Sequence, residues 1–140
     1  MKSSRPIGIY LLTMALLIGL GLPSRIIPKS LPSWYVQYFG DYLWAMLIFF
    51  GIGLVRPRWV TLKVFTAAIL FTYVIEFSQL FHPPWLEYLR SIKICALVLG
   101  YGFLWSDLVA YTLGITTGVV IEWLILRRTT TGVPGSLKVK

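Results

Sequence analysis

The chain has 140 residues, of which 57% are hydrophobic and only 13% are charged, and its mean hydropathy is +0.77. A soluble domain carries about 25% charged residues, and a soluble fold of this length has too much surface for its volume to bury so much apolar surface. The net charge of +8 does not indicate nucleic-acid binding, because the basic residues lie between apolar runs and form no contiguous stripe. The composition therefore predicts an all-α integral membrane protein.

Four apolar segments are predicted to span the membrane, at about residues 7–22, 34–55, 60–81 and 104–126, within one domain of residues 1–128. A helix rises about 1.5 Å per residue and must cross about 30 Å of hydrocarbon, so the second span should begin upstream of Asp41. The first segment lacks a small-residue cleavage site and is expected to be retained. The Thr- and Gly-rich tail, 129–140, is expected to be disordered and cytoplasmic.

The connection between the third and fourth spans reads "HPPWLEYLRSIKICALVLGYGF". The proline pair at its start is expected to stop the third helix. The part at about 86–103 is apolar but too short to span, so it is expected to form a short re-entrant or interfacial helix on the outer side.

Lysine and arginine residues predict the orientation of the four spans. If both termini are cytoplasmic, the inner segments hold nine of the 13 basic residues and the outer loops hold four. The positive-inside rule therefore favours a multi-pass protein of the bacterial inner membrane with both termini in the cytoplasm.

Most of the acidic residues are predicted to lie near the outer leaflet. Four of the five belong to this set: Asp41, Glu76, Glu87 and Asp107. Glu122 is the exception, and we expect it to form an ordinary pair near the helix end with Arg127 and Arg128.

Helical spacing predicts which of these residues share a face. Glu76 and Gln79 are three residues apart, and Asp107 and Tyr111 are four apart, so each pair projects from one side of its helix. Gly114 and Gly118 continue the Asp107 face, and the motif "GITTG" is a GxxxG pattern that allows a second helix to approach closely.

These observations predict one polar pocket that opens to the outer surface. Charged side chains at membrane depth usually face a bundle interior or a watery cavity. We expect Glu76 and Asp107 to orient Arg90, which would bind an anionic group. The predicted lining residues are Asp41, Glu76, Gln79, Arg90 and Asp107, with Arg25, His82, Trp85 and Tyr111 as accessory residues.

Structural explanations for the same residues stay open. Glu76 or Asp107 could form an ion pair with Arg90 that only holds the outer segment in place. Asp41 and Asp107 could cap helix starts, and Gln79 could simply hydrogen-bond between helices. His82 could be a turn residue before the two prolines. With one cysteine and one histidine in the chain, no disulfide, metal site or cofactor is predicted.

Several motifs resemble known families. "EFSQL", the later Arg90 and "SDLVAYTLGITTG" resemble the signature of the VanZ-like superfamily of small bacterial membrane proteins, with Tyr111 in the position where that pattern has Asn. "GDYLWA", "EFSQLFHPPWLEYLR" and "LGYGFLWSDLVAYTLG" are more similar to an uncharacterised family of four-span bacterial proteins, sometimes labelled as ribosomal maturation. This resemblance covers roughly residues 22–122. It implies family membership and a four-span fold, but no activity.

The predicted function is the binding of an envelope lipid, a glycolipid or a lipophilic drug in the outward-facing pocket. Two alternatives stay open: an accessory or scaffold subunit of a larger membrane complex, and a lipid-modifying enzyme that uses paired carboxylates. The expected partners are membrane lipids or a membrane protein complex, and nucleic acid is not expected.

Overall fold

The structure is a computed structural model that describes the backbone of residues 5–131 and the side chains of residues 5–128. It confirms the all-α fold class. The described part of the chain contains six α-helices: α1 (Ile7–Ile26), α2 (Gly40–Val55), α3 (Thr61–Ser78), α4 (Pro84–Ser91), α5 (Lys93–Leu99) and α6 (Trp105–Thr131).

Four helical segments are long and apolar enough to cross a membrane: Ile7–Ile26, Tyr35–Val55, Thr61–Ser78 and Trp105–Arg128. Their bounds differ from the predicted bounds by a few residues. α1 continues through Pro23 to Ile26, and α3 ends at Ser78, before the predicted residue 81. α6 continues to Thr131, so the predicted disordered tail is helical over 129–131. Residues 132–140 of that tail lie outside the described residues.

The second span begins upstream of Asp41, as its length requires. A π-helical turn at Tyr35–Phe39 leads directly into α2, and both Phe39 and Gly40 have helical dihedral angles. Asp41 therefore lies inside a continuous helical segment. The alternative that Asp41 caps a helix start is wrong.

The predicted short helix at about 86–103 is two helices. The break between α4 and α5 is at Ile92, whose ψ of 118° is extended rather than helical. α5 ends at Gly100, whose φ of +63° falls in the region that L side chains rarely adopt. On α4, Leu86 and Arg90 are buried, while Trp85 and Tyr88 are exposed, so this helix is amphipathic.

α2 packs against α1, α3 and α6 and forms the centre of the bundle. The fully buried rings of Phe49 and Phe50 lie in this core. α6 approaches α2 closely through its glycines: a Cβ atom at Gly114 would collide with the carbonyl oxygen of Tyr42, and one at Gly118 would lie 2.8 Å from Phe49 Cδ1. The GxxxG pattern thus lies at a helix contact.

Successive spans run in opposite directions, so the connections between them alternate between the two ends of the bundle. We call the end that carries α4 and α5 the connector end. The opposite end carries Arg5 and the turn between α2 and α3, and we call it the terminal end. Many large apolar side chains on the sides of the bundle are exposed, Leu12 and Leu70 among them, as expected for surfaces in contact with lipid acyl chains.

Candidate functional site

A polar cavity of about 80 Å³ lies at the connector end between α1, α2, α6 and the turn that follows α5. We call it the polar chamber. Five of the nine predicted residues line it: the predicted lining residues Asp41, Gln79 and Asp107, and the accessory residues Arg25 and Tyr111. Gln79 and Asp107 have 7% of their surface exposed. The lining residues are Arg25, Asp41, Trp44, Gln79, Val98, Gly100, Tyr101, Gly102, Asp107 and Tyr111.

Glu76 lies directly behind the wall of the polar chamber and is fully buried. Its carboxylate accepts hydrogen bonds from Tyr111 Oη at 2.9 Å, from Gln79 Nε2 at 3.1 Å and from the backbone N–H of Leu104 at 2.9 Å. Three donors satisfy a buried carboxylate well. Glu76 therefore orients Gln79 and Tyr111, both of which line the chamber.

Asp41 forms an ion pair with Arg25, whose Nη2 donates to Asp41 Oδ1. The Asp41 side chain is 13% exposed and that of Arg25 is 33% exposed. The pair forms because α1 and α2 approach closely beside it: a Cβ atom at Gly40 would lie 3.0 Å from Ser24 Cβ. The guanidinium of the polar chamber is thus Arg25, which sequence analysis gave only an accessory role.

Asp107 lies in the first turn of α6. Its Oδ1 accepts a hydrogen bond from Ser106 Oγ at 3.1 Å. Within the described residues, its Oδ2 has no hydrogen-bond partner. A carboxylate near a helix N-terminus is favoured by the helix dipole, so the dipole and one hydroxyl both stabilise this charge.

Gly100 closes the polar chamber over Gln79. A Cβ atom at Gly100 would lie 2.7 Å from Gln79 Nε2, and the positive φ angle would strain any other residue. The next residue holds the turn in place, because Tyr101 Oη donates to the carbonyl oxygen of Arg90 at 2.5 Å. A side chain at position 100 would displace Gln79 or open the turn.

A second, apolar cavity of about 200 Å³ adjoins the polar chamber between α1, α2 and α5. We call it the apolar groove. It shares Arg25 and Trp44 with the polar chamber. Its other lining residues are Leu17, Ile18, Gly21, Leu22, Gly40, Leu43, Leu47 and Leu97.

Arg90 is not in the polar chamber, and the prediction that Glu76 and Asp107 meet it was wrong. Its guanidinium donates to the carbonyl oxygens of Ser78 at 2.8 Å and Phe81 at 2.9 Å, and it forms an ion pair with Glu87 at 2.7 Å. The last carbonyls of a helix lack intrahelical donors. α4 folds back beneath α3 and brings Arg90 to the carbonyl of Ser78, the last residue of α3, and to that of Phe81 in the following turn, so Arg90 caps the end of α3.

A family model described as "Protein of unknown function (DUF2809)" matches residues 30–115, more than half of the chain. The chain belongs to this family. The matched range includes Asp41, Gln79, Asp107 and Tyr111, but Arg25 lies before its start. No solved structure matches the chain.

Two of the accessory residues lie outside the polar chamber of this DUF2809 protein. Trp85 is 64% exposed. The His82 side chain is 61% exposed, and its Nδ1 lies 2.9 Å from Glu87 Oε1. Hydrogen bonds from His82 and Arg90 lower the pKa of the exposed Glu87 carboxyl. These residues form a surface cluster around the end of α3.

Sequence analysis missed a second polar cluster, at the terminal end of this DUF2809 protein. Glu122 is fully buried; Arg5 Nε lies 2.5 Å from its Oε1, and Tyr10 Oη donates to the same oxygen. Arg5 also donates to the carbonyl oxygens of Pro57 at 3.1 Å and Trp59 at 2.6 Å. Burial lowers the pKa of Arg5, but the interactions with Glu122 and Tyr10 together outweigh burial, and the net effect is a raised pKa.

The expectation that Glu122 pairs with Arg127 and Arg128 was wrong. Glu122 follows Gly118 by four residues and so lies on the face of α6 that packs against α2. This spacing was a signal that Glu122 points into the bundle.

The described residues contain no group of three or more His, Cys, Asp or Glu side chains placed to hold a metal ion.

Proposed function

We propose that this protein binds an amphiphilic membrane molecule, either an envelope lipid, a glycolipid or a lipophilic drug. Its polar head would enter the polar chamber, and its apolar chain would lie in the apolar groove. The observation that carries this proposal is that the two cavities are adjacent and share the lining residues Arg25 and Trp44. Ligand sites typically combine an apolar cavity with a few precisely placed polar groups.

The volume of the polar chamber limits what can enter it. A cavity of about 80 Å³ has room for two or three water molecules, at roughly 30 Å³ each. A head group of a few non-hydrogen atoms fits this space, and so does one hydroxyl arm of a larger head. A complete sugar ring would stay outside, so a glycolipid would bind through one substituent.

The proposal is tested by narrowing the apolar groove. Leu97 on α5 lines the groove, whereas Ile94 on the same helix is 76% exposed and does not line it. We expect Leu97→Trp to reduce binding of twelve-carbon probes (dodecylammonium, dodecanol and dodecyl phosphate) to the protein in lipid nanodiscs. Ile94→Trp is the matched control and should bind like the wild type.

Two results would contradict the proposal. One is that no probe binds the wild type above an empty nanodisc. The other is that Leu97→Trp binds every probe as well as Ile94→Trp does.

We further propose that the protein lies in the bacterial inner membrane with the connector end facing outward. The excess of Lys and Arg in the segments at the terminal end supports this orientation. A periplasm-specific reporter enzyme fused to the C-terminus should be inactive, and activity there would overturn the orientation.

We also infer a distant relation to the VanZ-like superfamily. The shared spacing of Glu76, Gln79 and Asp107 supports this relation, and these side chains all contribute to the polar chamber or its wall. A solved structure of a VanZ-like protein with the matching residues far apart would contradict it.

A role as an accessory subunit of a membrane complex is the second candidate function. One observation favours it. Only 17% of the residues in the most apolar stretch of α1 are buried in the bundle, so α1 offers a long exposed face to a partner helix. Migration as a single small particle in native gels, after extraction from native membranes in mild detergent, would argue against this role.

A further inference from the structure

We propose that the polar chamber receives a primary ammonium group, so that the ligands of this protein are cationic amphiphiles such as long-chain amines. This inference rests on the proposed function and names the chemical class of its ligand. It reverses the expectation from sequence that the site binds an anion through an arginine.

The balance of charge around the polar chamber favours a cation. Asp41, Asp107 and the adjacent Glu76 are three carboxylates at this site, and among the described residues Arg25 is the one basic side chain that lines it. The N-terminus of α6 adds about half a positive charge. With all three carboxylates ionised, about one and a half negative charges lack compensation. An ammonium group would compensate most of this charge, whereas a phosphate would add to it.

The free hydrogen-bond acceptors equal in number the donors of an ammonium group. Within the described residues, three acceptor atoms of the chamber side chains have no hydrogen-bond partner: Asp107 Oδ2, Asp41 Oδ2 and Gln79 Oε1. An ammonium group carries three N–H donors and no acceptor. A neutral hydroxyl has one donor and can satisfy only one of these atoms.

Asp107, the less exposed of the two aspartates that line the polar chamber, offers a carboxylate oxygen to a cation. It is 93% buried, since 7% of its surface is exposed, and it lines the cavity with one carboxylate oxygen that accepts no hydrogen bond from the described part of the chain. A buried carboxylate is stabilised when an opposite charge and a hydrogen-bond donor reach it together. Arg25 donates no hydrogen bond to Asp107, because the side-chain hydrogen bond of Arg25 in the polar chamber goes to Asp41.

The experiment compares head groups on one chain length. The probes are dodecylammonium, dodecanol and dodecyl phosphate, and their binding to the protein in nanodiscs of neutral lipid is measured by titration near pH 7. We expect dodecylammonium to bind at least about tenfold more tightly than dodecanol, because hydrogen bonds to charged groups are the strong ones. Dodecyl phosphate should bind most weakly.

The variant Asp107→Asn keeps the size of the side chain and removes its charge. It should reduce the affinity for dodecylammonium about tenfold and leave that for dodecanol nearly unchanged. Glu87→Gln is the matched control, because Glu87 is a carboxylate at the same end of the bundle but outside the polar chamber. It should retain the affinity of the wild type for dodecylammonium.

The outcomes separate this inference from the proposed function. If no probe binds the wild type, the proposed function fails. If the probes bind but dodecyl phosphate or dodecanol equals dodecylammonium, the proposed function stands and the inference is overturned. Equal loss of all three probes in Asp107→Asn would also overturn the inference. The ranking of head groups needs only the wild type, so it tests the inference even if the variant fails to fold.

Discussion

Removal of Arg5 is the sharpest test of how the terminal end is held together. The side chains of Arg5 and Glu122 are 5% and 1% exposed, so the ion pair between them is buried. Arg5→Ala would leave the Glu122 carboxylate with Tyr10 as its one remaining partner among the residues that the structure describes, and would remove a donor from the carbonyl oxygens of the α2–α3 turn. Breaking a buried ion pair from one side typically costs about 3–5 kcal/mol.

A double-mutant cycle isolates the interaction itself. Glu122→Gln keeps an oxygen that can accept from Tyr10 but leaves the Arg5 charge without its partner. The variant with both substitutions removes both charges, so it should be destabilised by less than the sum of the single variants. We expect a coupling energy of about 1–3 kcal/mol.

Reversible unfolding in mixed micelles of mild detergent and dodecyl sulfate measures these free energies. Arg58→Ala is the matched control, because Arg58 is exposed in the α2–α3 turn at the same end. It should change the free energy of unfolding by no more than about 0.5 kcal/mol. If Arg5→Ala resembles Arg58→Ala, or if the two substitutions of the cycle are additive, the account of this cluster is refuted.

Three further predictions concern other contacts. Gly114→Ala should lower the free energy of unfolding by about 1–3 kcal/mol, because the added Cβ atom would collide with the backbone of α2. Gly19→Ala is the control: there is open space around Gly19, so this substitution should not lower the free energy of unfolding. Arg90→Ala should lower it by about 1–3 kcal/mol, because the carbonyls of Ser78 at the end of α3 and of Phe81 in the turn after it lose their donor, and an unchanged unfolding midpoint would contradict the cap. Folding lowers the pKa of Glu87 below its usual value of 4.5. The contacts of the ionised Glu87 carboxylate therefore stabilise the fold above pH 4.5, and this stabilisation is lost as the pH falls through the lowered pKa. A carboxyl NMR titration with a midpoint at or above 4.5 would contradict this.

The spans and the helix contact could be predicted because both depend on local properties of the sequence. Length and hydropathy define a span, and span length alone requires the second helix to begin before Asp41. The four-residue step from Gly114 to Gly118 defines one face of α6, and that face lies against α2.

The partners of the charged residues could not be predicted in the same way. Sequence gives the depth of a side chain in the membrane, but several basic residues share one depth. Arg90 was expected in the polar chamber, yet it binds the carbonyls at the end of α3, because α4 folds back beneath that helix. Arg25 reaches Asp41 instead, because α1 continues as a helix past Pro23.

The partner of Glu122 at the terminal end could not be predicted from local sequence either. Its expected partners, Arg127 and Arg128, are near in sequence. Its observed partner, Arg5, is 117 residues away along the chain. Antiparallel packing of the spans brings the start of α1 to α6, and a local pattern does not contain that information.

A density map of the protein in nanodiscs with dodecylammonium tests the central claim most directly. It should show the probe nitrogen within hydrogen-bond distance of Asp107, with the alkyl chain between α1, α2 and α5. Probe density confined to the outer sides of the bundle, or a map in which Asp41, Gln79 and Asp107 do not surround a common cavity, would contradict it.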